Sequence, residues 1–227
     1  MREEVLSRFL GKAGGTFPMN VILIGYRASG KTSVGRRVAE LLGYPFHDTD
    51  EIVMKAAGKT IRDIVDEGGW PLFREMEKGA IASISRKDGC VVALGGGAVL
   101  DEENIKQVSE NSLFIWLRAD AETVVNRMRK DGNNGAQRPP LTGGGTWKEV
   151  AELLRSREEV YRKNANFIVD TAGRSIEEVC KEIVCRLRKS EGGGQENGEA
   201  RDERDVKPPR RQVRQGRNPF FHLPPGR

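Results

Sequence analysis

Gly25-Tyr26-Arg27-Ala28-Ser29-Gly30-Lys31-Thr32 is the stretch on which the reading of the fold turns. Its spacing fits G-x-x-x-x-G-K-[ST], a loop whose backbone amides cradle phosphate. Just before it, Met19-Asn20-Val21-Ile22-Leu23-Ile24 is short, apolar and rich in β-branched residues, the pattern of a buried strand. Just after it, within residues 33–42, Val34, Val38, Leu41 and Leu42 recur at helical spacing. The bare pattern arises by chance in roughly one chain per hundred of this size, so the flanking strand and helix decide the matter. The chemistry follows from the geometry. Gly25 and Gly30 allow a tight backbone turn, and the N–H groups around Ala28, Ser29, Gly30, Lys31, Thr32 and Ser33 then converge on one anion at a helix N-terminus. Lys31 would neutralise β/γ-phosphate charge, and the Thr32 hydroxyl would ligate Mg²⁺. Nucleoside triphosphate binding is therefore expected.

The chain has 227 residues, 37% hydrophobic and 31% charged, which is enough for one core but polar for a compact enzyme. The excess polarity collects at the end. From Ser190 the sequence is Gly, Glu, Arg and Pro with scarcely an apolar residue before Phe220, a composition that cannot bury enough surface to fold. Residues 190–227 are thus expected to be a disordered tail, net −4 over 191–205 and net +6 over 207–227. Residues 1–18, with Gly11, Gly14, Gly15 and Pro18, read as a flexible extension, with Met19 an alternative start. The folded phosphate-loop domain is expected over 19–189. Outside 191–227 there are 30 basic and 27 acidic side chains, with no basic stripe along an expected helix. That surplus does not call for nucleic acid, and phosphorylated substrates account for it. No stretch approaches the ~20 apolar residues of a membrane span, and the first twenty residues lack the pattern of a secretion signal. Cys90, Cys180 and Cys185 are odd in number and lack metal-ligand spacing, so they read as reduced thiols. A cytoplasmic monomer without nucleic-acid or membrane partners is expected.

Along the chain, strands and helices alternate. A second strand is predicted over 43–47, helices over 51–57, 60–67 and 69–86, and a third strand over 90–94 that stops at Gly95-Gly96-Gly97. Thr60 reads as an N-cap with Asp63 in the first turn. A helix over 101–110, a strand over 112–117, a helix over 121–130, a helix over 146–164, a strand over 167–170 and a helix over 175–188 complete the series. Between 131 and 145 lies a Gly-rich loop of about fifteen residues, longer than compact domains carry without function. Such alternation predicts an α/β fold: a five-stranded parallel sheet covered on both faces, with ligands at the carboxyl ends of the strands.

Several residues at those ends carry candidate chemistry. Asp48 and Asp50 lie two apart, so in an extended backbone both carboxylates point to one side, towards the phosphate loop if the second strand flanks the first. One would hold Mg²⁺ and the other take a proton from an attacking hydroxyl; alternatively the pair caps the following helix. Gly95, Gly96 and Gly97 lack side chains and permit φ > 0, which would let a ligand press against backbone N–H groups, unless they form only a flexible turn. Arg74 and Arg157 each fall on an apolar helical stripe, where a guanidinium needs an anion. Glu77 could satisfy Arg74 at i,i+3. Arg157 has no acid at i−3 or i−4, which suits a bidentate ligand carboxylate. Arg138, in the long loop before two prolines, fits a mobile lid closing on transferred phosphate, with a solvated surface loop as the alternative.

Taken in order, Gly25–Thr32, Asp48-Thr49-Asp50, Phe73-Arg74 with Glu77, Gly95-Gly96-Gly97, Arg138-Pro139 and Arg157 leading to Tyr161 resemble the shikimate kinase family over roughly residues 19–188. The resemblance implies ATP-dependent phosphorylation of the shikimate 3-hydroxyl on the way to aromatic amino acids, with ATP and Mg²⁺ as cofactors. It further implies that Asp50 contacts the acceptor hydroxyl and that Arg74 and Arg157, with Glu77 and Gly95–Gly97 beside them, bind shikimate. Lys31 and Arg138 would serve catalysis and Thr32 and Asp48 the metal, while Arg127 and Arg174 would lie on the nucleotide side. Two features depart from the family pattern: Pro140 follows Pro139 in the loop, and the two ends of the chain have no counterpart. Two other readings stand beside this one, a kinase for another small polyol or a nucleotide, and a catalytically silent nucleotide-binding module.

Overall fold

The computed structural model describes residues 19–130 and 147–191. The expected lid with Arg138, the N-terminal extension and nearly all of the expected tail lie outside the described residues. Five strands, β1 (Asn20–Ile24), β2 (Phe46–Asp48), β3 (Val91–Ala93), β4 (Ser112–Arg118) and β5 (Phe167–Asp170), form one parallel sheet in the order β2-β3-β1-β4-β5. Among the described residues seven α-helices surround it: α1 (Lys31–Leu42), α2 (Thr49–Ala57), α3 (Ile61–Ile84), α4 (Glu102–Ser109), α5 (Ala121–Lys130), α6 (Trp147–Asn164) and α7 (Ile176–Glu191). None is long and apolar enough to cross a membrane.

The two-residue period of the strands sorts the apolar side chains onto two faces. Val21 and Leu23 of β1 join Leu113, Ile115 and Leu117 of β4 against Val34 and Val38 of α1 and Val179 and Ile183 of α7. Ile22 and Ile24 join Val92, Phe114 and Trp116 against Ile81 and Ile84 of α3 and Ile105 and Val108 of α4. Because both faces are covered, the strands read as unbroken apolar runs. Each such fully buried aliphatic side chain contributes about 1.5–3 kcal/mol, so a charge at Ile22 or Leu23 would unfold the sheet.

The predicted elements appear with small shifts, and three differences matter. First, β2 does not flank β1: β3 lies between them, and α1 passes back over β3 to bring its start beside the end of β2. Second, Asp50 is not in the strand but in the first turn of α2, and Asp48 alone caps that helix, accepting from the Asp50 N–H at 3.0 Å. Third, the helices predicted on either side of residue 68 are one run broken at Gly69, whose φ of 71° and ψ of 180° leave the helical path. Pro71 follows in the first turn after the break, where its missing N–H costs nothing. Thr60 and Asp63 form the expected N-cap as a reciprocal capping box.

Candidate active site

The ends of the strands enclose a cleft of about 730 Å³, lined on one side by residues 26–34 and on the other by Asp50, Phe73, Arg74, Glu77, Gly96 and Arg157. In the phosphate loop Gly25 has φ 143°, and a Cβ there would strike the Leu117 carbonyl of the neighbouring strand. Gly30, at φ 101°, opens α1 without a side-chain cap and with no acid in the first turn, so the helix N-terminus is left for an anion. Lys31 Nζ donates to the Gly25 and Tyr26 carbonyls at 2.8 Å each. Ser29 Oγ is buried without a hydrogen-bond partner among the described residues. A phosphate oxygen would satisfy that hydroxyl, so the loop fits the triphosphate it was read to bind. Thr32 Oγ1 donates to Asp48 Oδ2 at 2.7 Å. This puts two hard oxygen ligands side by side at the loop, a donor set suited to Mg²⁺. Among the described residues no group of three or more His, Cys, Asp or Glu side chains could hold a metal unaided.

Two arginines were expected on the nucleotide side. Arg127 donates to the Ala28, Ser29 and Thr171 carbonyls and to Thr171 Oγ1, at 2.6 to 3.3 Å, and burial lowers its pKa. It thereby ties α5 to the loop and to the end of β5. Thr171 itself is 2% exposed, and its one hydroxyl proton lies between the Ser29 and Arg118 carbonyls, each 3.2 Å from Oγ1. Arg174 lines the rim, but its N–H groups are engaged by the Asp170 and Glu178 carbonyls and by Glu182.

On the opposite side, Thr49 of α2 accepts from the Gly95 N–H at 2.8 Å and so holds the first turn of the helix, with Asp50, against the end of β3. The glycine triplet is there for space rather than for backbone freedom. None of its three φ angles is positive. A Cβ on Gly95 would collide with Glu77 and Asp50, one on Gly97 with the Arg74 guanidinium, and one on Gly96 would sit 3.1 Å from the Arg27 nitrogen of the phosphate loop. The turn is therefore the floor on which these side chains converge.

Glu77 is fully buried and paired with Arg74, yet its Oε1 has no partner among the described residues. Burial pushes its pKa up, the Arg74 charge pulls it down, and the Asp50 charge adds to the rise. Arg74 is 31% exposed and Arg157 is half-buried, so neither is sealed in the core as the stripe pattern implied. Arg157 donates to the Gly96 carbonyl at 3.3 Å, and Tyr161 Oη donates to the same carbonyl at 2.6 Å. Burial drives the Tyr161 pKa up to about 12, so it remains a donor at neutral pH.

Of the described residues read as candidate site residues, all line this cleft except Gly25 and Gly95, which lie directly against Lys31 and against Glu77 and Asp50. The sequence reading missed Thr49 as the latch of Gly95, and Tyr26 as a neighbour of Arg157. Nothing in the pattern could have found Thr49, since a threonine between two acids reads as a turn. Tyr26 is an unspecified position in its motif.

A phosphate loop at a parallel sheet's carboxyl edge, facing a compact pocket with an acid and two arginines, defines a small-molecule kinase of the phosphate-loop class. The comparisons narrow this further. The family model for shikimate kinase matches residues 27–188. A shikimate kinase of Syntrophus aciditrophicus is 41% identical over 74% of this chain and 91% of its own length. One of Oleidesulfovibrio alaskensis is 43% identical over 66% and 87%. Among solved structures, the shikimate kinase from Acinetobacter baumannii in complex with shikimate superposes with a TM-score of 0.71 at 28% identity, covering 78% of this chain and 96% of that one. The chain belongs to the shikimate kinase family.

Proposed function

We infer that the chain transfers the γ-phosphoryl group of ATP to the 3-hydroxyl of shikimate, giving shikimate 3-phosphate and ADP in chorismate and aromatic amino acid biosynthesis. The observation that carries the reading is the convergence of Arg74 from α3 and Arg157 from α6 on the Gly95–Gly97 turn, in the cleft that also holds Lys31. Two cations on an uncharged floor suit a small ligand bearing one carboxylate. Asp50 would orient the acceptor hydroxyl and accept its proton. Lys31 would exchange its two carbonyl partners for phosphate oxygens, and Ser29 would donate its free hydroxyl. Thr32 and Asp48 would hold Mg²⁺, which would supply positive charge to offset the negative charge developing on the transferred phosphoryl group. Arg127 would keep the loop in its phosphate-binding shape, and Arg174 would flank the base. We place this chemistry in the cytoplasm and within residues 19–189.

A coupled ADP-release assay over shikimate, quinate, gluconate and nucleoside monophosphates tests the reading. Strong preference for shikimate is expected. Preference for gluconate or a nucleotide would move the chain to another kinase specificity, and no turnover with any acceptor would make it a silent nucleotide-binding module.

A further inference from the structure

Tyr26 belongs to the phosphate loop by sequence and to the acceptor side by packing. Its carbonyl accepts from Lys31 Nζ and from the Ser29 N–H, as a loop residue's should. Its side chain instead leaves the loop, is 2% exposed, and packs with Val124 and Val125 of α5 and Val150 of α6. The guanidinium carbon of Arg157 lies 5.5 Å from the centre of this ring, within the range of cation–π attraction. Among the described residues Arg157 has no carboxylate partner; it donates to the Tyr161 hydroxyl, and its one hydrogen bond to backbone, at 3.3 Å to Gly96, is long. The residues one turn before it on α6, Leu153 and Leu154, cannot hold it. The Tyr26 hydroxyl is buried with no partner among the described residues, so only the ring makes a favourable contact.

We propose that Tyr26 is a positioning residue for the acceptor: its ring face holds the Arg157 guanidinium in place and leaves the N–H fork available to the acceptor carboxylate. A residue inside the nucleotide motif thereby sets the affinity for the other substrate. The inference rests on Arg157 being the carboxylate contact.

The test is the steady-state KM for shikimate and for ATP in Tyr26→Leu, Tyr26→Phe, Arg157→Ala and the Y26L/R157A double variant. Removing the ring in Tyr26→Leu should raise the shikimate KM roughly 3- to 30-fold and leave the ATP KM within about twofold. Tyr26→Phe should stay within about twofold on both, because the hydroxyl holds nothing. Adding Y26L to R157A should add no further loss of shikimate affinity. Should Tyr26→Leu fail to fold, Tyr26→Met fills the space without a ring face and carries the same expectation. An unmoved shikimate KM, an equal rise in both KM values, or Tyr26→Phe behaving like Tyr26→Leu would overturn the proposal. The two readings separate in the same data. A raised KM in Arg157→Ala beside an unmoved Tyr26→Leu removes only the role of Tyr26, whereas an unmoved Arg157→Ala removes the carboxylate contact and this role with it.

Discussion

The two halves of the cleft touch at Gly96, where the acceptor turn lies against the Arg27 backbone, yet they hold their charges differently. In the nucleotide half the cations are already occupied. Lys31 sits on two loop carbonyls, Arg127 on three carbonyls and a hydroxyl, and Arg174 on two carbonyls and Glu182. In the acceptor half the charges are incompletely paired: among the described residues Glu77 is sealed from solvent with one oxygen bare, and Arg157 has no carboxylate partner but rests on the Tyr26 ring, the Tyr161 hydroxyl and one long bond to Gly96. On the proposed reading a nucleotide would bind by exchange, Lys31 giving up two neutral carbonyls for charged phosphate oxygens. An acceptor would bind by completion, supplying the anion that Arg157 lacks among the described residues. Losses should be graded in the first half and steep in the second.

The largest effect is expected at Asp50, which stands in the first turn of α2, the turn that Thr49 holds against the end of β3. Asp50→Asn should lower kcat by roughly 10²–10⁴ while the Kd for ADP stays within about twofold. Isothermal titration with ADP beside turnover measurements checks both. A parallel loss of ADP affinity would mean that the halves are not separable.

Next comes the acceptor's own charge. Shikimate methyl ester keeps its reacting hydroxyl but would leave Arg157 without an anion. Stranding a buried charge costs on the order of 2–5 kcal/mol. Here Arg74 is 31% exposed and keeps Glu77, which places the loss at the lower end, roughly 10- to 100-fold in kcat/KM. An ester that reacts as fast as the acid would end the idea of completion. In the nucleotide half, Arg127→Ala sharpens the contrast. It breaks neutral contacts to the loop, so it should raise the ATP KM only roughly 3- to 10-fold and leave the shikimate KM alone.

How far this contrast was legible in the sequence differs by element. The phosphate loop carries its own geometry, since Gly25 and Gly30 do adopt positive φ and the apolar run before them is a central strand. The bounds of α5 and β5 were predicted to the residue, because turn-forming residues flank them. Strand order was not legible: β3 enters between β2 and β1 through crossover packing, which leaves no local trace. Of the two reasons for reading the glycine triplet as a site, missing side chains and freedom at φ, only the first holds. Its backbone is ordinary, and what it lacks are Cβ atoms where Glu77, Asp50 and Arg74 converge from distant helices. Likewise the Arg74–Glu77 pair was visible as i,i+3 spacing, but its burial against Asp50 was not.

That burial supports the smallest and most diagnostic effect. Burial holds the Glu77 pKa above the usual glutamate value despite Arg74 beside it. A carboxyl whose folded pKa is raised contributes stability that is fully present below the unfolded pKa and is lost as pH rises through the folded one. Glutamine at this position does not titrate, so groups that do not interact with Glu77 cancel when the two proteins are compared, and what is left is Glu77 with its coupling to Arg74 and Asp50. The difference in Tm, wild type minus Glu77→Gln, should therefore decrease as pH rises from about 4 to about 7, measured without ligands. If the difference instead grows with pH, the Arg74 charge outweighs desolvation at Glu77. The acceptor half would then be as well paired as the nucleotide half, and steep losses on that side would need another cause.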